Sequence, residues 1–496
     1  MRGSFVVVLP IVILIGGSFG ITIITMFFKL KNKAAAVLTT LILLAALAAL
    51  INIPGTVTDA HRSVSPFFGY VRPGGVLLKV DIPGVYLVSI AILVGMFISI
   101  YSGEYLSRDQ RFVLYYPLLL LNISGLLGLF FSRDLFNIFL LAELTSISNS
   151  ALIAFRFRQE EAVREGFQYL IMSSLGAMIM LLGIYFTYRS TGSLALSGIM
   201  EAPDLYTRAG AGCFLIGFWI KAGVVPLHTW VPGVYSKAPS AVSGLMAGVT
   251  SKSMLFLAPA VCLQLGMSPS ELGQFYVLFA FMNMLLGSVR SLNQDNLRRF
   301  LAYSSIAQSG YLMFVLGIGF LYQLEAAFVA GLFLFLSVAV MKCLAFLAAG
   351  IYEYYLKSSF VDDLKGVYHW KSLSAVATSI ALAGLAGLPL LAGFNGKWLV
   401  FSAVLKLNEP LALLGLALFL ISSVIGLGGY LPMIAIQFQM PEADRTEGIS
   451  SPGSDKISPW MTFPVVVLAA LVVFLGFFPS PGLRLIDWIV TWAGAA

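Results

Sequence analysis

The sequence predicts an all-α polytopic membrane protein of fourteen transmembrane helices, and three observations carry this. Only 11% of the 496 residues are charged and 59% are hydrophobic, against about 25% charged in a soluble domain. Mean hydropathy is +0.92. Apolar runs of about 20 residues, the length that crosses a bilayer, recur from end to end.

The runs fall at roughly 5–28, 34–52, 77–101, 112–131, 134–155, 164–188, 209–230, 239–262, 271–289, 298–319, 325–350, 372–403, 410–434 and 460–479. The first, Phe5 to Phe28, is longer than a signal-peptide core and lacks a small-residue cleavage site, so it reads as a spanning helix. The 53–76 connection, rich in proline and glycine, reads as an external loop, and the polar 440–459 connection as exposed chain. Leu483 to Ala493 is too short to span and is expected at the surface. With the N-terminus outside, Lys29, Lys31, Lys33, Arg108, Arg111, Arg156, Arg158, Arg164 and Lys237 all fall on inside connections. The positive-inside rule asks for this arrangement, and an even number of spans then places both termini outside.

Composition excludes several classes. Cys213, Cys262 and Cys343 stand far apart in apolar runs and form no CxxC, so they read as core residues and imply no iron–sulfur or zinc site. Only His228, of 3 histidines, approaches the membrane interior, which argues against a bis-histidine haem. There is no Walker A motif and no dinucleotide fingerprint after a strand. The sequence therefore assigns no cofactor and no metal to this chain, and no redox or hydrolytic site. The net charge of +7 forms no basic stripe with interleaved aromatics, so nucleic acid is not an expected partner.

The strongest functional signal lies in Gly217 to Trp230. Lys221 stands about twelve residues into an apolar span, and Pro226 then breaks or kinks the helix by removing a backbone donor. Freed backbone at that depth needs partners in protein or in a wet cavity. A charge in hydrocarbon costs about 2.5–3.5 kcal/mol on insertion scales, so an ammonium retained there points to function. Three more follow: Lys252, Lys342 and Lys397, the last beyond a second break at Pro389. Glu143 lies nine residues after Asp134, the expected cap of the fifth helix, and so about 13 Å into it, beside Thr145, Ser146 and Ser148. Lost solvation disfavours a buried ammonium and an adjacent carboxylate favours it. A lysine facing Glu143 can thus take up and release a proton as its neighbour's charge changes, and Lys221 is the expected partner. His228, just beyond Pro226, is either a proton-access residue or an interfacial imidazole. Arg298 and Arg299 read as topogenic anchors.

The chain also echoes itself. Asp134 and Phe139 recur as Asp295 and Phe300 at an offset of 161, and Pro226 and Pro389 interrupt helices five spans apart. An odd number of spans per copy inverts the second copy, a pattern common in transporters.

Four motifs, in order, carry a resemblance. They are Lys221-Ala-Gly-Val-Val-Pro-Leu-His-Thr-Trp230, Ala238-Pro-Ser-Ala-Val-Ser-Gly-Leu245, Asn293-Gln-Asp295 with Arg298-Arg-Phe-Leu-Ala-Tyr-Ser-Ser305, and Leu388-Pro389 with Gly393-Phe-Asn-Gly-Lys397. Over roughly residues 77–434 the chain resembles the antiporter-like, proton-conducting membrane subunits. This family is shared by NADH:quinone oxidoreductase (its M, N and L types), Mrp-type antiporters (the D type) and membrane-bound hydrogenases (the H type). The resemblance implies one integral membrane domain: N-terminal helices in 1–111, a first inverted five-helix repeat (helices 4–8) in 112–262, a second (helices 9–13) in 271–434, and a C-terminal loop and helix in 435–496. Helices 7 and 12 are expected to be broken. It also implies a Glu143–Lys221 pair and a relay through Lys252 and Lys342 to Lys397. Two departures stand out. Val338 occupies the place, four residues before Lys342, where many relatives carry histidine, and Gly233-Val-Tyr235 replaces a common Asp-Ala-His.

The expected function is proton translocation, with or without sodium coupling, through a mid-membrane Glu/Lys relay in a multi-subunit complex of the cell membrane. Two alternatives stay open: an autonomous secondary transporter of a small solute, and a quinone-binding redox subunit.

Overall fold

The computed structural model describes residues 2–28, 30–52, 65–66, 77–109, 111–156, 158–196, 204–440 and 457–494. The expected loops at 53–76 and 440–459 lie largely outside the described residues, as does Lys29. In chain order the helices are α1 (Arg2–Phe28), α2 (Asn32–Ile51), α3 (Ile82–Tyr105), α4 (Phe112–Phe131), α5 (Leu135–Ile153), α6 (Glu160–Thr191), α7 (Leu205–Ala222), α8 (Trp230–Lys237), α9 (Ser240–Gln264), α10 (Pro269–Leu292), α11 (Leu297–Tyr322), α12 (Glu325–Leu356), α13 (Ser372–Ala386), α14 (Ala392–Leu405), α15 (Pro410–Phe438), α16 (Pro459–Phe477) and α17 (Ser480–Gly494). Among the described residues, 12 helices are long and apolar enough to cross a membrane. The chain is an all-α, multi-pass membrane protein. The pairs α7–α8 and α13–α14 are each an apolar stretch in two pieces.

The third span starts later than its apolar run. Leu77–Leu78 pairs antiparallel with Ser65–Pro66, and α3 begins only after Asp81, whose carboxylate accepts from the Gly84 amide at 3.1 Å. Asp134 caps α5 as expected, accepting from the Asn137 amide at 2.9 Å. The matching cap in the second half is Asn296, which accepts from the Arg298 and Arg299 amides at 3.0 and 3.1 Å. The echo therefore runs one residue further than the Asp134–Asp295 match. The same register governs the surrounding backbone. The Leu135 amide donates to Leu194 O and the Leu297 amide to Ser359 O, both at 2.9 Å. Leu196 N donates back to Arg133 O, and Val361 N back to Asp295 O.

Both interrupted helices stop on glycine, several residues before or just before the proline. Gly223 has φ 71° and Gly387 has φ 90°, the left-handed C-cap that glycine adopts without strain. Pro226 and Pro389 themselves face outward and are exposed, so they keep the chain from resuming the helix; they do not line a buried path. The Val225 amide, freed at the first break, donates to the fully buried Asn283 Oδ1 at 3.2 Å.

Ion pairs sort the connections onto two faces. Lys33–Glu104 (2.9 Å), Arg156–Asp109 (3.5 Å) and Lys237–Glu161 (2.5 Å) hold helix ends together on the lysine- and arginine-rich face, called the basic face below. Arg133–Asp81 (3.2 Å) and Arg208–Glu271 join ends on the opposite face. Arg298 departs from its expected role as a surface anchor. It is buried, donating to Glu353 Oε2 at 3.1 Å and to the carbonyls of Tyr235 and Ala238, while Arg299 is exposed. The C-terminal α17 is amphipathic, with Ile486 and Ile489 buried and Leu485 and Trp488 exposed, and it packs against α12 and α3.

Candidate functional site

The first centre is built where α5, α6 and α7 meet. Gly176 of α6 and Gly217 of α7 bring the two backbones together: a Cβ on Gly217 would lie 2.8 Å from Gly176 O. One turn further along α7, Lys221 turns inward with its side chain 3% exposed. Its Nζ donates to Glu143 Oε1 at 3.0 Å, to Ser146 Oγ at 2.6 Å and to Ser173 O at 3.3 Å. Those three acceptors match the three donors of an ammonium. Glu143 and Ser146, three residues apart, share one face of α5. Ser173 Oγ donates to Ser146 Oγ at 2.9 Å, closing a small polar ring around the ion pair.

The second centre is organised by α11. Lys252 follows a π-helical turn, Met246–Thr250, inside α9; such widened turns frequently mark functional sites. Close to it, a Cβ on Gly248 would lie 2.9 Å from Ala339 O, so α9 lies directly on the α12 backbone. The Lys252 ammonium donates to Ser305 Oγ at 2.7 Å and Ser305 O at 3.0 Å. The Lys342 ammonium, reaching from α12, donates to Leu301 O at 2.8 Å and to Ser304 Oγ. Two ammonium groups from different helices thus end on adjacent residues of α11. Lys397 comes from the other side of the second break. It donates to the carbonyl of Ala386, the last residue of α13, at 2.9 Å, where the negative end of a helix dipole favours a cation. Its Nζ stands 5.1 Å from the centre of the Tyr311 ring. A cavity of about 10 Å³ is bounded by Lys397, Tyr311, Gln308 and Ser304. That is the room one water needs, and it lies between Lys397 and the serine that Lys342 holds.

The structure therefore brings Glu143 to Lys221, and Lys252, Lys342 and Lys397 to one face of α11. Between the two centres the described residues include the buried hydroxyl pair Tyr235–Ser251 (2.7 Å). The hydroxyls of Thr250 and Ser253, which flank Lys252 in sequence, are buried without a hydrogen-bond partner among the described residues. His228 lies in the turn between α7 and α8, half-buried, and its Nδ1 has no partner there. None of the described hydrogen bonds joins it to Lys221.

Sequence reasoning missed Ser173 and the α11 face. A signal was present: Leu301, Ser304, Ser305, Gln308 and Tyr311 recur at helical spacing, so one stripe of α11 carries the polar groups. It also missed Glu353, near the end of α12. Its carboxylate accepts from Arg156 at 2.8 Å, Arg298 at 3.1 Å, Tyr105 at 2.7 Å and Ser240 at 2.9 Å.

Comparison with known proteins agrees with this fold. Residues 132–426, more than half of the chain, match the family model described as NADH:quinone oxidoreductase/Mrp antiporter, TM. The F(420)H(2) dehydrogenase subunit N of Methanosarcina mazei is 28% identical, over 82% of this chain and 83% of that protein. The NADH-quinone oxidoreductase subunit N of Geotalea uraniireducens is 31% identical, over 72% and 75%. A chain of an archaeal membrane-bound sulfane sulfur reductase superposes with a TM-score of 0.86 at 22% identity, covering 98% of this chain and 97% of that one. A chain of the Mrp complex from Dietzia superposes with 0.84 at 20% identity, covering 99% and 97%. One from respiratory complex I of Thermus thermophilus gives 0.74 at 26%, covering 96% and 98%. With its fold and its matched region in agreement, the chain belongs to the NADH:quinone oxidoreductase/Mrp antiporter family of membrane subunits.

Proposed function

We propose that this chain translocates protons as the antiporter-like subunit of a multi-subunit complex in the cell membrane. In this reading α7–α8 and α13–α14 each cross as one interrupted span, making fourteen spans with both termini outside. The halves at 112–262 and 271–434 form inverted repeats. In this reading electron carriers, where the complex has them, reside on other subunits.

The observation that carries the reading is the Lys221–Glu143 ion pair, 3.0 Å long and ringed by Ser146 and Ser173, in the same membrane domain as the buried Lys252 and Lys342 and the half-buried Lys397. Opening the pair leaves Lys221 without its counter-charge and favours release of its proton; closing it favours uptake. In this reading the change passes by way of buried hydroxyls such as Tyr235 and Ser251 to Lys252, then through Ser305 and Ser304 of α11 to Lys342, and across the small cavity to Lys397. The tie of three lysines to one helix favours a lateral relay over a solute carrier.

The test is made on the assembled complex in sealed vesicles, with a pH-sensitive dye reporting translocation. Glu143→Gln and Lys221→Ala are expected to abolish acidification while the complex still assembles. Translocation at the unmodified rate in either variant would refute the role of the pair.

A further inference from the structure

We propose that Glu165, at the basic-face end of α6, is the group through which protons reach the Lys221–Glu143 pair, along a file formed by Asn149, Tyr169, Ser173 and Ser146. The proposal rests on the relay reading above and deepens it by naming the uptake route. His228, the residue in the break, is not on this route.

Four observations converge. First, Glu165, Tyr169 and Ser173 follow one another at intervals of four along α6, so they stand on one face about 6 Å apart per step. They are 5%, 3% and 2% exposed, which is low for a carboxylate so close to a helix end. Second, the far end of the file is already connected. The Tyr169 hydroxyl accepts from Asn149 Nδ2 at 3.2 Å, Ser173 Oγ donates to Ser146 Oγ, and both serines contact the Lys221 ammonium. Third, Asn149 is fully buried and its Oδ1 has no partner among the described residues. A buried acceptor left open is costly unless water or a moving proton carrier visits it. Fourth, the near end reaches the surface. Arg164, whose side chain is 76% exposed, meets Glu165 Oε1 at 3.2 Å.

The interrupted helix supplies the cover. In α8, the Trp230 ring stands edge-on to Tyr169 at 4.9 Å, with its Nε1 donating to Ile220 O one residue from Lys221. Three residues on, Gly233 lies against Glu165, and a Cβ there would collide with Oε2. The half-helix released by the break at Gly223 is thus laid along the file, and the missing side chain at position 233 makes room for the carboxylate. In one cycle Glu165 takes a proton from water at the basic face and passes it by way of the Tyr169 and serine hydroxyls. It returns to carboxylate, and each hydroxyl gives one proton for the one it receives.

The experiment compares proton translocation by assembled complexes in vesicles carrying Glu165→Gln, Glu165→Asp, Tyr169→Phe, His228→Ala or Glu143→Gln. Glu165→Gln is expected to slow translocation by roughly tenfold or more, the lower range of a lost proton-transfer group. Glu165→Asp restores part of the rate. Formate supplied on the basic-face side restores the Gln variant by carrying protons to the gap, a rescue that a purely structural role would not give. Tyr169→Phe, which removes one hydroxyl, is expected to slow translocation as well and serves where Glu165→Gln does not assemble. Unchanged rates in Glu165→Gln, or in Tyr169→Phe where that variant stands in for it, overturn the proposal. So does slowing confined to His228→Ala. If Glu143→Gln is inactive while Glu165→Gln is not, the relay stands and only this route falls. If Glu143→Gln is fully active, the relay itself has failed.

Discussion

Each of the four relay lysines is held by oxygens that belong to other elements. Lys221 has a carboxylate and two serines, Lys252 and Lys342 have neighbouring serines of α11, and Lys397 has the carbonyl end of α13. The lysines and Glu143 were legible in the sequence, because a charge inside an apolar run stands out against its background. Their serine partners were not. Hydroxyls are common in membrane helices, where most of them bond the preceding turn of their own helix, as Ser337 does with Phe333 O at 2.9 Å. Only the packing shows which hydroxyl meets an ammonium. This difference gives a prediction. Ser305→Ala removes a hydrogen bond to a buried charge, the kind worth about 1.5–3 kcal/mol, and is expected to slow vesicle acidification several-fold. Ser337→Ala, equally buried, is expected to leave the rate unchanged. Equal rates in the two variants would remove Ser305 from the relay.

Element by element, apolar runs located the spans well, and α4 coincides with its run from Phe112 to Phe131. The breaks were foreseen from Pro226 and Pro389, yet the helices end on Gly223 and Gly387. The reason is physical. A proline removes one helix donor and disfavours helix in the residue before it, whereas a left-handed residue stops a helix by letting the last carbonyls be satisfied. Apolar periodicity also merged α13 with α14 in the run 372–403, since a few unwound apolar residues look like helix to a hydropathy window, and it ended the seventh run at Trp230, where α8 begins. Gly223 combines a left-handed backbone with a close neighbour. Its φ is 71°, and a Cβ would collide with Val231 Cγ2. Gly223→Ala is therefore expected to cost about 1–2 kcal/mol in backbone strain, with a further clash against α8. A thermal melt of the purified complex should show a lower midpoint, and a translocation assay should show a slower rate, because α8 is pushed off its neighbours. Gly192→Ala is the matched control: it shares a left-handed φ of 64° but has open space around its Cβ. It should lower the midpoint less and leave translocation intact.

At the scale of the molecule, the two halves of the proposed inverted-repeat reading meet on the basic face at one carboxylate. Glu353 extends from α12 and takes Arg298 from α11, Arg156 from the α5–α6 connection, Tyr105 from α3 and Ser240 from α9. Arg156 also stacks over Tyr105, with 4.7 Å to the ring centre, and meets Asp109 at 3.5 Å. The sequence hid this hub. Its members are spread from Tyr105 to Glu353, and near the ends of helices charged residues are ordinary topological markers. Only their convergence tells Arg298 from Arg299. Removing one partner of a buried ion pair costs about 3–5 kcal/mol, because the other charge stays buried alone. Glu353→Ala strands Arg298, whose side chain is only 4% exposed, and leaves Arg156, at 15%, with Asp109. The expected loss is therefore toward the lower end, about 3 kcal/mol. It should appear as a lower melting midpoint and a lower yield of assembled complex. Glu353→Gln keeps the hydrogen-bonding shape without the charge and should fall between the two. A double change, Glu353→Leu with Arg298→Met, removes the two charges together, leaves Arg156 with Asp109, and should recover much of the stability. If Glu353→Ala melts like the unmodified chain, the hub does not hold the halves together, and their alignment rests on the packing of α11 and α12 alone.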